Sequence, residues 1–185
     1  MLFRSIALAK KPILILGGAR SGKSHFAQEL ATRLSNKVLF VATGEALDKE
    51  MQARIEEHRK ARPKSWLTLE IATDIGKRIE KQIHDAEVVI IDCLTLLVSN
   101  LLKDEPGYQE AEKRMVVEID QLTACMDKLN VTFIIVSNEV GMGLVPENKL
   151  GRIYRDLLGK ANQLIAEHAS EVYFMVSGLP MKIKG

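Results

Sequence analysis

One eight-residue stretch has the residue types and the spacing to bind the phosphates of a nucleotide. Residues 17–24 read G-G-A-R-S-G-K-S, which matches the phosphate-loop pattern G-x-x-x-x-G-K-S. The two pattern glycines let the backbone wrap tightly and point its N–H groups inward. The lysine can reach the β- and γ-phosphates, and the serine hydroxyl can ligate Mg²⁺. We therefore predict a nucleotide site made of Gly17, Gly18, Ala19, Arg20, Ser21, Gly22, Lys23 and Ser24.

The segments on either side of this stretch have the patterns that a working phosphate loop needs. Four apolar residues at 13–16 predict a buried strand, and residues 25–34 are compatible with a helix. The order strand, loop and helix separates a phosphate loop from a chance match, because the helix aims its positive dipole end at the bound phosphate. The alternative is a glycine-rich turn that binds nothing.

A second candidate is the acid at the end of an apolar run. Asp92 follows the residues Val-Val-Ile-Ile at 88–91, a run typical of a buried parallel strand. In phosphate-loop proteins an acid in this position holds Mg²⁺, directly or through water. The sequence therefore predicts Ser24 and Asp92 as the metal-side residues. The alternative role for Asp92 is to cap a nearby helix.

A third candidate is a histidine between two arginines on a predicted helix. Arg54, His58 and Arg62 are spaced i, i+4 and i+8, so they lie along one helix face. Neighbouring positive charge lowers the pKa of an imidazole, which favours the neutral, nucleophilic form. Guanidinium groups also bind phosphates bidentately. Judged by residue type alone, a solvated charged face is the commoner interpretation.

Strands and helices alternate along the chain and must position these side chains. We predict strands at residues 13–16, 38–42, 66–71, 88–92, 131–136, 172–176 and 181–184, and helices at 25–34, 48–61, 74–84, 94–102 and 108–129, with a last helix from 146 or 147 to about 169. This alternation predicts an α/β fold with a mostly parallel sheet. Ligands bind such sheets at the carboxyl ends of the strands. The segment Asn138–Gly143, after one strand, contains two glycines and is a weaker candidate for close ligand approach.

Composition narrows the class of protein. The chain has 185 residues, so it is expected to form one catalytic domain over residues 12–185. Its net charge is only +2, so it is expected to bind neither nucleic acid nor membrane. Residues 1–11 are expected to be a mobile extension, too short in its apolar part for a membrane span. Cys93 and Cys125 lack C-x-x-C spacing, which fits a reducing cytosol, so we expect a cytoplasmic protein.

Two other nucleotide-binding classes remain as alternatives at this point. A small-molecule kinase would share the loop and Asp92 but would give His58 no role. A regulatory GTP-binding switch would need the motifs N-K-x-D and D-x-x-G. The one N-K pair, Asn148 and Lys149, lacks the aspartate, and the third residue after Asp92 is Thr95 rather than glycine. The switch class is therefore disfavoured.

Several stretches together resemble one enzyme family. They are G-G-A-R-S-G-K-S at 17–24, A-T-G at 42–44, D-K-E-M-Q-A-R-I-E-E-H-R-K-A-R-P at 48–63 and N-E-V-G-M-G-L-V-P-E-N at 138–148. R-x-x-R-D-L-L-G-K-A-N-Q at 152–163 and V-S-G at 176–178 add to them. In these stretches the chain resembles the bifunctional adenosylcobinamide kinase / adenosylcobinamide-phosphate guanylyltransferase family of cobalamin biosynthesis. The resemblance covers nearly the whole chain from residue 13 to residue 184.

The resemblance implies a fold, substrates and site residues. It implies a RecA-like P-loop NTPase fold, a homotrimer, Mg²⁺, GTP and ATP as nucleotide substrates, and adenosylcobinamide or its phosphate as acceptor. It implies that His58 becomes guanylylated, with Lys23 also catalytic. Further nucleotide contacts implied in this way are Ala42, Thr43, Gly44, Arg59, Lys60, Ala61, Arg62, Glu70 and Asp92. This chain departs from many relatives at Glu57, where they carry a second histidine, and at Asp92, where some carry glutamate.

Overall fold

The centre of the protein is a seven-stranded sheet. A computed structural model describes residues 12–44, 59 and 62–185 of the chain. The strands are β1 (Ile13–Gly17), β2 (Val38–Ala42), β3 (Leu67–Glu70), β4 (Val88–Asp92), β5 (Thr132–Val136), β6 (Glu171–Val176) and β7 (Leu179–Lys184). Their spatial order is β3-β2-β4-β5-β1-β6-β7, and all neighbours are parallel except the β6–β7 pair. The mostly parallel α/β sheet predicted from the sequence is confirmed.

Helices cover both faces of the sheet. Within the described ranges they are α1 (Lys23–Leu34), α2 (Ile75–Gln82), α3 (Leu94–Asn100), α4 (Tyr108–Lys128) and α5 (Lys149–His168). Alternate strand residues such as Ile15, Phe40 and Ile90 pack in one apolar cluster with α1. Their neighbours along the strands pack in a second cluster with the other four helices. This division follows from the period of two along a strand, which sends successive side chains to opposite faces.

Helix α4 buries the face that its spacing predicts. Met115, Ile119, Leu122 and Met126 are at most 5% exposed, and Leu129 packs against the same cluster. Burying a side chain of this size stabilises the fold by about 1.5–3 kcal/mol. This helix therefore joins the sheet through apolar burial, as an amphipathic helix should.

Three helix starts differ from the prediction, and α1 begins at Lys23 rather than at residue 25. Helix α5 begins at Lys149, two or three residues later than expected, because Asn148 is its N-cap and accepts a hydrogen bond from the Gly151 N–H at 2.6 Å. Asp74 stands at the N-cap position of α2, but its side chain makes no capping hydrogen bond. The Glu118 carboxylate from α4 accepts the first N–H groups of α2 instead. Asp74 therefore occupies the N-cap position, but the capping hydrogen bonds go to Glu118.

The helices in the described part of the chain are α1 to α5. None of the helices there combines the length and the apolar character that crossing a bilayer requires.

Candidate nucleotide-binding site

The loop after β1 needs glycine at two positions for different reasons. Gly17 has a φ of 153°, and a Cβ there would lie 2.7 Å from the Met175 carbonyl oxygen and 2.7 Å from the Ser21 Oγ. Gly22 is the N-cap of α1 with a φ of 93°, in the left-handed region that disfavours other residues. Its added Cβ would lie 3.2 Å from the Gly178 Cα. The pattern glycines therefore allow the tight packing of this loop.

The turn between β6 and β7 supports the loop from outside. Ser177 and Gly178 both have positive φ, 50° and 84°, as in the two-residue hairpin turns that match the twist of paired strands. The Gly178 N–H donates a hydrogen bond to the Ser21 carbonyl at 3.0 Å. The V-S-G stretch at 176–178 thus packs against the phosphate loop, far from it in sequence.

The side chain of Lys23 lies inside the loop. It is 8% exposed, and its Nζ donates a hydrogen bond to the Gly18 carbonyl at 2.6 Å. Burial lowers the pKa of Lys23, while the nearby Cys93 and Asp92 act in the opposite direction. A partly desolvated ammonium next to a carboxylate is suited to bind phosphate oxygens, because its charge is poorly screened there.

Asp92, at the end of β4, lies on the wall of a cavity of about 570 Å³. The loop residues from Ala19 to His25 form one part of this wall. The other lining residues are Ala42, Gly44, Arg62, Cys93, Thr95, Leu96, Val136 and Asn138. The structure therefore brings the loop, Asp92 and part of the 42–44 segment together at the carboxyl edge of the sheet, where parallel sheets bind ligands.

Thr43 does not face this cavity. It is fully buried, and its Oγ1 donates to the Cys93 carbonyl at 2.6 Å and accepts from the Cys93 N–H at 2.8 Å. The Thr43 N–H also donates to the Asp92 carbonyl at 3.2 Å. This hydroxyl therefore joins the end of β2 to the chain after β4, and the nucleotide contact expected for Thr43 stays a prediction. Its neighbours Ala42 and Gly44 line the cavity.

Arg62 borders the cavity from the β2 side. Its guanidinium carbon lies 3.5 Å above the centre of the Phe40 ring. Its Nε is buried and makes no hydrogen bond with the described residues. Burial lowers the pKa of Arg62, while Asp92 raises it and Arg59 lowers it further. Stacking fixes the plane of the guanidinium, which leaves a polar edge suited to an anionic ligand.

Arg59 and Glu70 form an ion pair with each other. Both side chains are more than half exposed, and neither is among the described residues that line the cavity. Their expected nucleotide contacts stay predictions. His58, Lys60 and Ala61, together with Arg54 and Glu57, lie outside the described residues.

A family model described as cobinamide kinase / cobinamide phosphate guanyltransferase matches residues 13–183 of the chain. The chain belongs to this family. Membership of the cobinamide kinase / cobinamide phosphate guanyltransferase family confirms the resemblance noted in the sequence and the prediction that the chain is an enzyme. It also confirms that the resemblance extends over nearly the whole chain.

Individual relatives agree with the family match. The Escherichia coli protein named bifunctional adenosylcobalamin biosynthesis protein CobU is 44% identical over 180 residues, covering 93% of this chain and 99% of its own length. The Salmonella typhimurium protein of the same name is 39% identical with the same coverage. The Pseudomonas aeruginosa protein, named CobP, is 42% identical over 173 residues, covering 93% of this chain and 96% of its own length.

A more distant structure defines the fold. A solved ATPase domain superposes with a TM-score of 0.53 at 15% identity, covering 90% of this chain and 69% of that one. At this identity the likeness carries information on fold alone. Together with the parallel sheet, it confirms the predicted P-loop NTPase class for this member of the cobinamide kinase / cobinamide phosphate guanyltransferase family.

The donor set of the cavity fits Mg²⁺. Ser24 and Asp92 supply a hydroxyl and a carboxylate oxygen on the wall of one cavity. No group of three or more His, Cys, Asp or Glu side chains that could hold a metal occurs among the residues the structure describes. Mg²⁺ is commonly bound in this way, through one or two protein oxygens completed by substrate phosphates and water. Zinc sites instead need three or four protein ligands.

Sequence reasoning missed several residues of this cavity. Cys93, Thr95 and Leu96 line it around the start of α3, and Val136 lines it from the end of β5. Asn138 was not missed, since it belongs to the segment Asn138–Gly143 that was predicted as a weaker candidate for close ligand approach. Thr95 and Leu96 carried no signal of this kind in the sequence, because only the turn from β4 into α3 brings them there.

Proposed function

We propose that this chain phosphorylates adenosylcobinamide with GTP or ATP, and transfers GMP from GTP to adenosylcobinamide phosphate, giving adenosylcobinamide-GDP. Family membership and the names of the relatives support both half-reactions. The observation that carries the proposal is the buried Lys23 ammonium on a phosphate loop, in one cavity with Asp92 and Arg62.

In this proposal the nucleotide phosphates lie against the N–H groups of the 17–24 loop and the positive end of α1. Lys23 would leave the Gly18 carbonyl and bind the β- and γ-phosphate oxygens. Ser24 and Asp92 would hold Mg²⁺, which when bound neutralises charge on the phosphate oxygens. Arg62, stacked on Phe40, would present its guanidinium to the phosphate chain.

In the kinase step the acceptor hydroxyl oxygen would attack the γ-phosphorus in line. The bond between the γ-phosphorus and its bridging oxygen breaks, the nucleoside diphosphate leaves, and the hydroxyl gives up its proton. This reaction depends mainly on positioning and on stabilising charge on the transferred group. Lys23 would stabilise the charge on the transferred group. Asp92 and Glu70 are the candidate general bases from the sequence, and Asp92 is the one that lines the cavity.

In the guanylyl step a neutral imidazole nitrogen of His58 would attack the α-phosphorus of GTP. A phosphorus–nitrogen bond forms, the bond to the bridging oxygen breaks and pyrophosphate leaves. A phosphate oxygen of adenosylcobinamide phosphate then attacks the same phosphorus, which breaks the phosphorus–nitrogen bond and restores the histidine. Two transfers suit a bulky acceptor, because pyrophosphate has left before that acceptor reacts. The role of His58 rests on the sequence and the family.

The test is incubation with GTP labelled at the α-phosphate, without acceptor. The unsubstituted protein should carry acid-labile label on His58, and His58→Ala should carry none. His84→Asn is the matched control, because His84 is an exposed histidine with a φ of 46°, a conformation that asparagine tolerates. It should label like the unsubstituted protein.

Retention of full label in His58→Ala would contradict the nucleophile assignment. Kinase product without any labelled protein or adenosylcobinamide-GDP would instead favour a small-molecule kinase that lacks guanylyl transfer. Homotrimer assembly, implied by the resemblance, belongs to the same proposal and predicts a solution mass of three 20.7 kDa chains by light scattering.

A further inference from the structure

The chain beyond β5 lies between the phosphate loop and Asp92. In β5, Val136 pairs with Ile15 of β1 on one side and with Asp92 of β4 on the other. The ladder with β1 continues past the end of the strand. The Ser137 N–H donates to the Ile15 carbonyl at 3.0 Å, and the Glu139 N–H donates to the Gly17 carbonyl at 3.0 Å. The backbone therefore stays extended and in register through residue 139.

An extended backbone sends successive side chains to opposite faces of the sheet. Ser137 is fully buried on the α5 side, where its Oγ donates to the Asn162 Oδ1 at 2.7 Å. Val136 and Asn138, on either side of it, line the cavity that also contains Lys23. The alternation therefore assigns the Asn138 carboxamide to the face of the sheet that carries the phosphate loop.

Both backbone polar groups of Asn138 are held by side chains from other elements. Its N–H donates to the Thr95 Oγ1 at 2.8 Å, and its carbonyl accepts from the Asn162 Nδ2 at 3.1 Å. Asn162 is 5% exposed and uses both ends of its amide in this network. Buried polar networks that are satisfied in this way rigidify the groups they hold. The amide of Asn138 is thus presented from a fixed backbone.

We propose that the carboxamide of Asn138 donates a hydrogen bond to the terminal phosphate of the bound nucleoside triphosphate, and that Asn162 is the positioning residue that holds Asn138. This inference rests on the proposed function and adds the feature that recognises a triphosphate. Asn138 lies between Lys23, which would bind the β- and γ-phosphates, and Asp92 on the metal side. A neutral donor at this point adds no charge to the site. It would make the site bind a nucleoside triphosphate more tightly than a diphosphate, because only the triphosphate carries the phosphate that it contacts.

The test compares two nucleotides that differ only in the terminal phosphate. The α,β-methylene analogues of GTP and GDP cannot lose pyrophosphate or phosphate at the α-position, so binding to the full chain with Mg²⁺ can be titrated by calorimetry. Asn138→Ala should weaken the triphosphate about tenfold or more and change the diphosphate by less than about twofold, because hydrogen bonds to charged groups are the stronger ones. Asn138→Asp should weaken the triphosphate further through like-charge repulsion.

Asn130→Ala is the matched control, since Asn130 is exposed and lies just before β5, at the opposite edge of the sheet. It should leave both affinities unchanged. Asn162→Asp keeps an acceptor for Ser137 but removes the donor to the Asn138 carbonyl. It should lower the preference for triphosphate in the same direction as Asn138→Ala. If that variant does not fold, Ser137→Ala should show a smaller change of the same kind.

Equal loss for both nucleotides, or no loss for either, in Asn138→Ala would overturn the inference. An Asn162→Asp variant that folds and keeps the full triphosphate preference would remove the positioning role. Failure of the proposed function is a separate result, because it is the absence of phosphorylated or guanylylated corrinoid product from the unsubstituted protein. The nucleotide preference is measured without acceptor and does not depend on that result.

Discussion

Helices α1 and α2 start with N-cap residues of similar backbone conformation, but their N-termini lie in different environments. Gly22 and Asp74 are the two N-cap residues, both in the left-handed region with φ of 93° and 55°, and neither helix has a side-chain capping bond from that residue. At α2 the Glu118 carboxylate accepts the N–H groups of Asp74 and Ile75 at 2.9 and 2.8 Å. At α1 the first turn borders the cavity of the phosphate loop.

The difference shows how one physical effect serves structure in one place and ligand binding in another. A helix N-terminus favours a negative charge because its first N–H groups have no partner within the helix. At α2 a buried carboxylate of the protein itself supplies that charge, so the end is closed. At α1 the loop surrounds the helix end with further N–H groups and with Lys23, an arrangement that favours a phosphate from outside.

The largest expected effect comes from removing the ammonium group of Lys23 at the N-terminus of α1. Lys23→Met keeps the aliphatic stem but removes the ammonium, so both half-reactions should fall about 100-fold or more, the usual loss when one such donor is removed. Product formation from labelled GTP measures both rates. Lys37→Met, at an exposed lysine paired with Asp85, is the control and should keep normal rates. Normal kinase turnover in Lys23→Met would show that the loop does not serve that step.

Removing the Glu118 carboxylate at the N-terminus of α2 should lower the stability of the fold rather than the rate of catalysis. Glu118→Ala leaves two N–H groups at the start of α2 without their acceptor in a site where Glu118 is 6% exposed. We expect a loss of about 2–4 kcal/mol in the free energy of unfolding, since two charge-assisted hydrogen bonds are lost. Urea denaturation measures it, with Asp120→Ala, an exposed acid on the same helix, as control.

If the N-termini of α1 and α2 act independently, the Glu118→Ala variant should bind GTP normally as long as it remains folded. A selective loss of GTP affinity in that variant would mean that the two helix ends are coupled, contrary to the separation described above.

The smallest effects should come from exchanging the N-cap residues. Gly22→Ala places a Cβ at positive φ, 3.2 Å from the Gly178 Cα, and should cost about 1–2 kcal/mol and weaken GTP binding. Asp74→Gly removes a side chain from a left-handed position and should change stability by less than about 1 kcal/mol, in the stabilising direction. Thermal unfolding with and without GTP measures both. Equal destabilisation by Gly22→Ala and Asp74→Gly would show that a Cβ at the positive φ of residue 22 does not cause the loss of stability.

Sequence patterns predicted most of the fold and the centre of the site. The strand 13–16, the phosphate loop and the strand ending in Asp92 follow from apolar runs and glycine spacing, which depend on neighbours in the chain. The acceptor at the start of α2 left no local signal, because Glu118 lies more than forty residues away in the chain. The resemblance of the A-T-G stretch at 42–44 gave no indication that the Thr43 hydroxyl bonds to the backbone of Cys93, fifty residues away in the chain.

By itself the sequence determined the order of the described elements, the phosphate loop, the acid that ends β4 and the family, because each depends on local residue types and spacing. Only the tertiary structure decided which of the residues at the carboxyl edge share a cavity, and which anion meets each helix end. It brought Asn138 beside the phosphate loop through β5 and held it with Asn162 from α5. Such contacts join residues that are distant in the chain, and long-range packing and hydrogen bonding leave no periodic pattern in a single sequence.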